Sequence, residues 1–194
     1  MLGTGNDLEA IYAVYPHNKA VKISDTGVLS LTLPSMQGYA EGTFGKGANT
    51  MIAVTESVAD TYLGFRNAGG YLKVQLYGED VTVRSVVLRG NNDERIAGAA
   101  TVVMEHGGLP EVAMADDAET SVSINCGDGV KLGTTPETAT EFWFVIPEVT
   151  FENGFTIVVN DTNFGRFEKS TSRSVTIDRN TIQPMKAIAV DITA

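Results

Sequence analysis

Residues that could carry chemistry are few in this chain, and their spacing narrows them further. There is one cysteine and there are two histidines. Cys126 closes an apolar alternation in Ile124-Asn125-Cys126-Gly127, where a thiol packs as a small buried side chain. A nucleophilic thiol needs a base beside it, and neither His17 nor His106 sits in a recognisable partner motif. A lone cysteine also excludes an internal disulfide framework. Asp161-Thr162-Asn163-Phe164-Gly165 alternates oxygen-bearing side chains before a glycine, as a calcium loop does. A complete loop needs more oxygens and a terminal bidentate acid at fixed spacing, and Glu168 arrives too early. The run therefore reads as a hairpin turn. Asp116, Asp117 and Glu119 form an acidic loop that needs no ion, and Asn160-Asp161-Thr162 meets the glycosylation sequon, a pattern short enough to arise by chance.

Aromatic residues offer one further possibility. Phe142, Trp143 and Phe144 adjoin Phe151 and Phe155, and strand alternation puts Phe142 and Phe144 on one face and Trp143 on the other. The pair reads as core, which leaves Trp143 as the ring that could stack on a sugar. No nucleophile elbow and no phosphate-cradling glycine loop before a helix occurs. The expectation is a protein that is not an enzyme, with no cofactor and no metal.

The elements that must position these residues are strands. Period-two alternation recurs in short runs broken by Gly, Pro, Asn and Asp. Val28 to Leu33 puts Leu29, Leu31 and Leu33 on one face, and Tyr71 to Tyr77 turns Leu72, Val74 and Leu76 inward. Met51 to Val54 and Tyr62 to Phe65 read as shorter strands. Gly78-Glu79-Asp80 and Gly127-Asp128-Gly129 read as hairpin turns. Thr55 to Tyr62 has room for one or two helical turns at most, and His106 to Thr120 is the longest polar connection. About a dozen strands so spaced predict an all-β fold, an antiparallel β-sandwich.

With 194 residues and 43% hydrophobic content, the chain can bury a substantial core. Twenty-four acidic against 14 basic residues give a net charge of −10, which disfavours nucleic acid and anionic lipid as partners. No apolar stretch approaches the length of a membrane-spanning helix. Asn67-Ala68-Gly69-Gly70 marks a plausible boundary between a short β region over 1–66, which could be a truncated sandwich, and a β-sandwich domain over 67–194. The first residues, Met1 to Asp7, include no basic segment and no apolar signal core.

Several stretches, in order, resemble the fimbrillin-like (Mfa-like) family of Bacteroidales surface lipoproteins and pilus subunits. These are Ile11-Tyr12-Ala13-Val14-Tyr15-Pro16, Leu63 to Val74, Arg84 to Gly90 with Ile96-Ala97-Gly98, Phe144 to Ile157, and Lys169-Ser170 followed by Ile177 to Ile182 and Met185. The resemblance implies two packed transthyretin-like sandwich domains, of which the first is short here. It implies export to the outer-membrane surface or fimbrium, lipid anchoring at an N-terminal cysteine, a role that no residue of this sequence fills, and adhesion or pilus assembly with other subunits or surface ligands. Assembly of that kind would proceed by β-strand addition, in which an edge or groove of one sandwich accepts a strand from another. Ile188, Val190 and Ile192 share one face of the terminal run and are the candidate subunit-interface residues; completing the chain's own sheet is the alternative for them. A carbohydrate-binding module of a surface glycan system is the alternative function, and it requires an exposed Trp143.

Overall fold

The computed structural model describes residues 9–192. Strands dominate, and among the described residues the one helical turn is the 3-10 segment Pro136–Thr138. The architecture is a β-sandwich built around two hydrophobic cores. In the larger, one wall is a six-stranded sheet whose order is Arg166–Ser170, Phe155–Asp161, Thr82–Gly90, Ser121–Lys131, Met36–Ala40 and Thr43–Phe44. The facing wall pairs Thr140–Pro147 with Gly69–Tyr77, and Gly69–Tyr77 carries Ile182–Pro184 and Ile188–Ala189 on its other edge. Alternation predicts the filling. Leu72, Val74, Leu76, Phe142 and Phe144 are fully buried from one wall, and Val83, Val86, Leu88, Val122 and Val159 from the other.

The smaller core lies between Tyr12–Tyr15, Met51–Val54 and Arg66–Asn67 on one side and a four-stranded sheet on the other. That sheet runs Glu111–Met114, Gly98–Val103, Leu29–Leu33, Lys22–Ile23. Leu29, Leu31 and Leu33 face inward while Ser30 and Thr32 face out, as their spacing predicts.

The sheets do not divide at residue 66. The hairpin Gly98–Val103 and Glu111–Met114 lies in the smaller core's sheet, where Ala100 pairs with Leu31. In return, Met36–Ala40 runs parallel to Ser121–Lys131 in the larger core's sheet. Each core therefore draws strands from both sides of Asn67. This supplies the strands that 1–66 lacks and makes part of the polar loop after His106 an edge strand.

Three local expectations are corrected. Gly78-Glu79-Asp80 does not close a hairpin. The strands on either side lie in opposite walls, so the turn carries the chain across the sandwich, with Asp80 at φ 55°. Gly127-Asp128-Gly129 is a bulge inside the single strand Ser121–Lys131. Its register against Thr82–Gly90 shifts between Asn125 and Val130, and Gly127 and Gly129 take φ of 60° and 117°. Tyr62 to Phe65 has no ladder partner among the described residues, and the strand begins at Arg66.

Candidate functional site: an open seam of the sandwich

A sandwich has two seams where the edges of its walls meet, and here they differ. One is closed by Gln37, which is 3% exposed. Its Nε2 donates to the Val145 carbonyl at 2.6 Å, and the Val145 amide donates back to its Oε1 at 3.0 Å. The side chain thus acts as a one-residue strand that joins the six-stranded sheet to the edge strand Thr140–Pro147. Tyr39 packs on Phe142 with ring centroids 5.4 Å apart, and Phe44 stacks on Tyr71 at 5.2 Å.

The opposite seam is open. A groove of about 630 Å³ runs between Lys169 to Val175 on one lip and Gln183 to Ala189 on the other. Phe155 and Ile157 of the larger core form part of its floor. Arg166–Ser170 is the terminal strand of the six-stranded sheet, and Ile182–Pro184 and Ile188–Ala189 end the facing sheet. Among the described residues these three strands each have one ladder partner, so their outer edges are open. Val175, at the end of the first lip, is instead paired with Phe151 in the two-stranded ladder of Val149–Phe151 and Val175–Ile177.

The terminal run lies on its own chain. Ile188 pairs in parallel with Leu76, and the Val190 amide donates to the Tyr77 carbonyl at 2.8 Å. Val190 is buried, and Ile188 and Ile192 pack partly buried against the larger core. Ile188 also lines the groove. The run is therefore a wall of the seam.

Sequence reasoning missed the ties that hold this run in place. Asn49 Nδ2 donates to Asn67 Oδ1 at 2.9 Å, and Asn67 Nδ2 donates to Asn180 Oδ1. The Asn180 amide donates to the Gly69 carbonyl at 2.9 Å, and Arg179 Nη1 to the Asn67 carbonyl at 3.2 Å. This network fastens the turn before the terminal strands to the junction between the cores. Its one sequence signal is Asn180, a residue type that tolerates its φ of 57°.

The other candidates are scattered. Cys126 is buried in the larger core, and burial pushes its thiol up to about 12. His17 lines a separate pocket with Val14, Pro16 and Leu31, and His106 sits in the loop between Val103 and Glu111. The thiol should therefore ignore Ellman's reagent at pH 8 in the native protein and react at once after unfolding; fast native labelling would contradict its burial. Because the fold raises this pKa from 9.0, Cys126 lowers stability as pH climbs from about 9 towards 12 and has no such effect below.

Asp161 Oδ1 accepts the amides of Asn163 at 2.9 Å and Gly165 at 2.6 Å, which makes Asp161 to Gly165 a capped turn. Asn160 Nδ2 donates to Ser85 Oγ at 3.0 Å. Asp116 lies 3.9 Å from Arg95. Trp143 is half-buried: its Nε1 donates to Glu141 Oε2 at 3.1 Å, and Lys73 Nζ sits 5.5 Å from its ring centroid. The hydrogen bond from Lys73, followed by that from Trp143, holds the Glu141 carboxyl below its usual range. This ring is occupied by its own chain and packs beside Phe44, Tyr71 and Val145.

No family model matches this chain, and no curated protein matches it either. Solved structures do. A candidate cell adhesion protein from Bacteroides ovatus ATCC 8483 superposes with TM-score 0.54 at 10% identity, over 93% of this chain and 62% of that one. A second candidate cell adhesion protein, from Bacteroides uniformis ATCC 8492, gives TM-score 0.52 at 12% identity, over 93% and 67%. The chain thus spans about two thirds of the length of the structures it resembles. At these identities the likeness establishes a shared β-sandwich fold.

Proposed function

We propose that this chain is a non-catalytic cell-surface adhesive or structural protein, a fimbrial subunit or fimbrillin-like adhesin that assembles by β-strand addition. The observation that carries the reading is the asymmetry of the two seams. One is sealed by Gln37, while the other leaves two unpaired edges around an apolar floor. An added strand would satisfy the backbone of a lip and cover the half-buried Val175, Met185 and Ile188 along the groove, which is how β-augmentation gains affinity. Ile188, Val190 and Ile192 then serve as part of the acceptor. The two candidate adhesion proteins that share the fold support the surface role, as does the order of fimbrillin-like stretches along the chain. The site of action is the outer-membrane surface or fimbrium, and the partners are other subunits or surface ligands. The reading as a carbohydrate-binding module asks for an exposed Trp143, and that ring is half-buried with its Nε1 bonded to Glu141, which favours the adhesive reading over it.

Size-exclusion chromatography over a wide concentration range, with electron microscopy of the assembled fraction, tests this function. Concentration-dependent oligomers or filaments are expected. A strict monomer at millimolar concentration that is also absent from the cell surface would overturn the reading.

A further inference from the structure

We infer that the strand accepted by the open seam is acidic, and that a second copy of this chain supplies it from the edge strand Glu111–Met114. The inference rests on the strand-addition reading and names the partner. Its starting point is a local reversal of charge. The chain carries 24 acidic and 14 basic residues, yet the groove is lined by Lys169, Arg173 and Lys186 and by no Asp or Glu. All three cations are exposed, and none takes part in an ion pair among the described residues. Three unpaired cations beside an apolar floor select an occupant that is anionic and partly apolar.

The chain offers such an edge at the far core. Glu111–Met114 is the terminal strand of its sheet, so its outer backbone groups have no ladder partner among the described residues. Glu111 faces out while Val112 and Met114 turn towards the smaller core, so the strand can pair without leaving its own fold. Exposed Glu105, Asp116 and Asp117 flank it. Leu109, 56% exposed two residues before it, supplies an apolar group for the floor. The smaller core's other outer strands differ: Lys22–Ile23 and Arg66–Asn67 are basic and Tyr12–Tyr15 uncharged. Donor and acceptor are different surfaces, so the contact is head-to-tail and propagates into a ring or filament.

The test uses three forms of the chain: wild type, the groove reversal K169E/R173E/K186E, and the edge reversal E111K/D116K/D117K. All six positions are exposed, so each form should keep the wild-type melting curve. Sedimentation velocity is expected to show self-association in the wild type and its weakening by about 100-fold or more in either reversal, through like-charge contact. Mixing the two reversals should restore association. A peptide of residues 109–117 should bind wild-type groove and lose binding to the groove reversal. If the wild type associates and neither reversal weakens it, this partner is wrong while strand addition stands. If the wild type never associates and no peptide binds, both fall. Binding of oligouronate at the groove in preference to the peptide would also overturn the inference, since the anion would then be a glycan.

Discussion

Replacing Gln37 by Ala is expected to lower the unfolding free energy by about 3 kcal/mol. The substitution leaves the Val145 amide and carbonyl without partners in a buried seam, at roughly 1–3 kcal/mol for each unsatisfied group. Gln37→Glu should cost at least as much: it keeps an acceptor for the Val145 amide, loses the donor to the carbonyl, and buries a charge. Urea denaturation of the two variants measures both effects. A loss under about 1 kcal/mol for both would mean that water enters the seam freely and that it is not closed. The larger consequence concerns the sandwich edges, because opening this seam exposes a second pair beside Thr140–Pro147, so the alanine variant should also aggregate more readily.

Gly70→Ala is expected to cost about 2 kcal/mol or more and to loosen the terminal strands. A Cβ at Gly70 would press into the Asp178 carbonyl oxygen and meet Ile177 Cγ2 at 3.0 Å. Neither neighbour is a flexible side-chain end, so relief requires the backbone turn before Ile182–Pro184 to shift. That turn is the one the Asn67, Arg179 and Asn180 bonds hold, so strain at Gly70 is transmitted to a lip of the groove. Gly38→Ala is the control. Nothing lies within 4 Å of its Cβ position, and its expected effect is within about 0.5 kcal/mol. Equal melting temperatures for wild type, Gly38→Ala and Gly70→Ala would contradict the close approach.

The alternation of Leu29, Leu31 and Leu33, of Leu72, Val74 and Leu76, and of Phe142 and Phe144 made the β class and the inward faces legible in the sequence. Those features depend only on neighbours along one strand. What each strand pairs with depends on residues far away, and there the local signals misled. Gly78-Glu79-Asp80 and Gly127-Asp128-Gly129 both have turn chemistry, but one crosses between walls and the other is a bulge, because glycine permits a backbone conformation without choosing a partner. The glycines at 69 and 70 do mark a junction, yet their role is close backbone approach to Ile146 and Asp178 rather than chain reversal. The boundary near Asn67 lay where composition changes, and the exchange of strands between the cores left no compositional trace.

The site was legible only in part. Ile188, Val190 and Ile192 follow from their period, and the structure puts them on their own core, with Ile188 on a lip of the groove. The groove could not be read, since Phe155, Lys169, Arg173 and Lys186 sit on separate segments joined only by the sandwich. Gln37 was equally hidden. A polar residue in a short strand is expected to face water, and only the position of Val145 gives its amide a reason to be buried.

The account depends on the open seam being an acceptor of strands. Backbone amide hydrogen exchange at Arg166–Ser170 and at Ile182 to Ala189, compared between dilute monomer and assembled protein, tests this most directly. At least one of the two lips should gain protection on assembly, while Glu111–Met114 gains it in parallel and the sealed seam at Val145 stays protected throughout. Oligomers in which both lips exchange as fast as in the monomer would contradict the account.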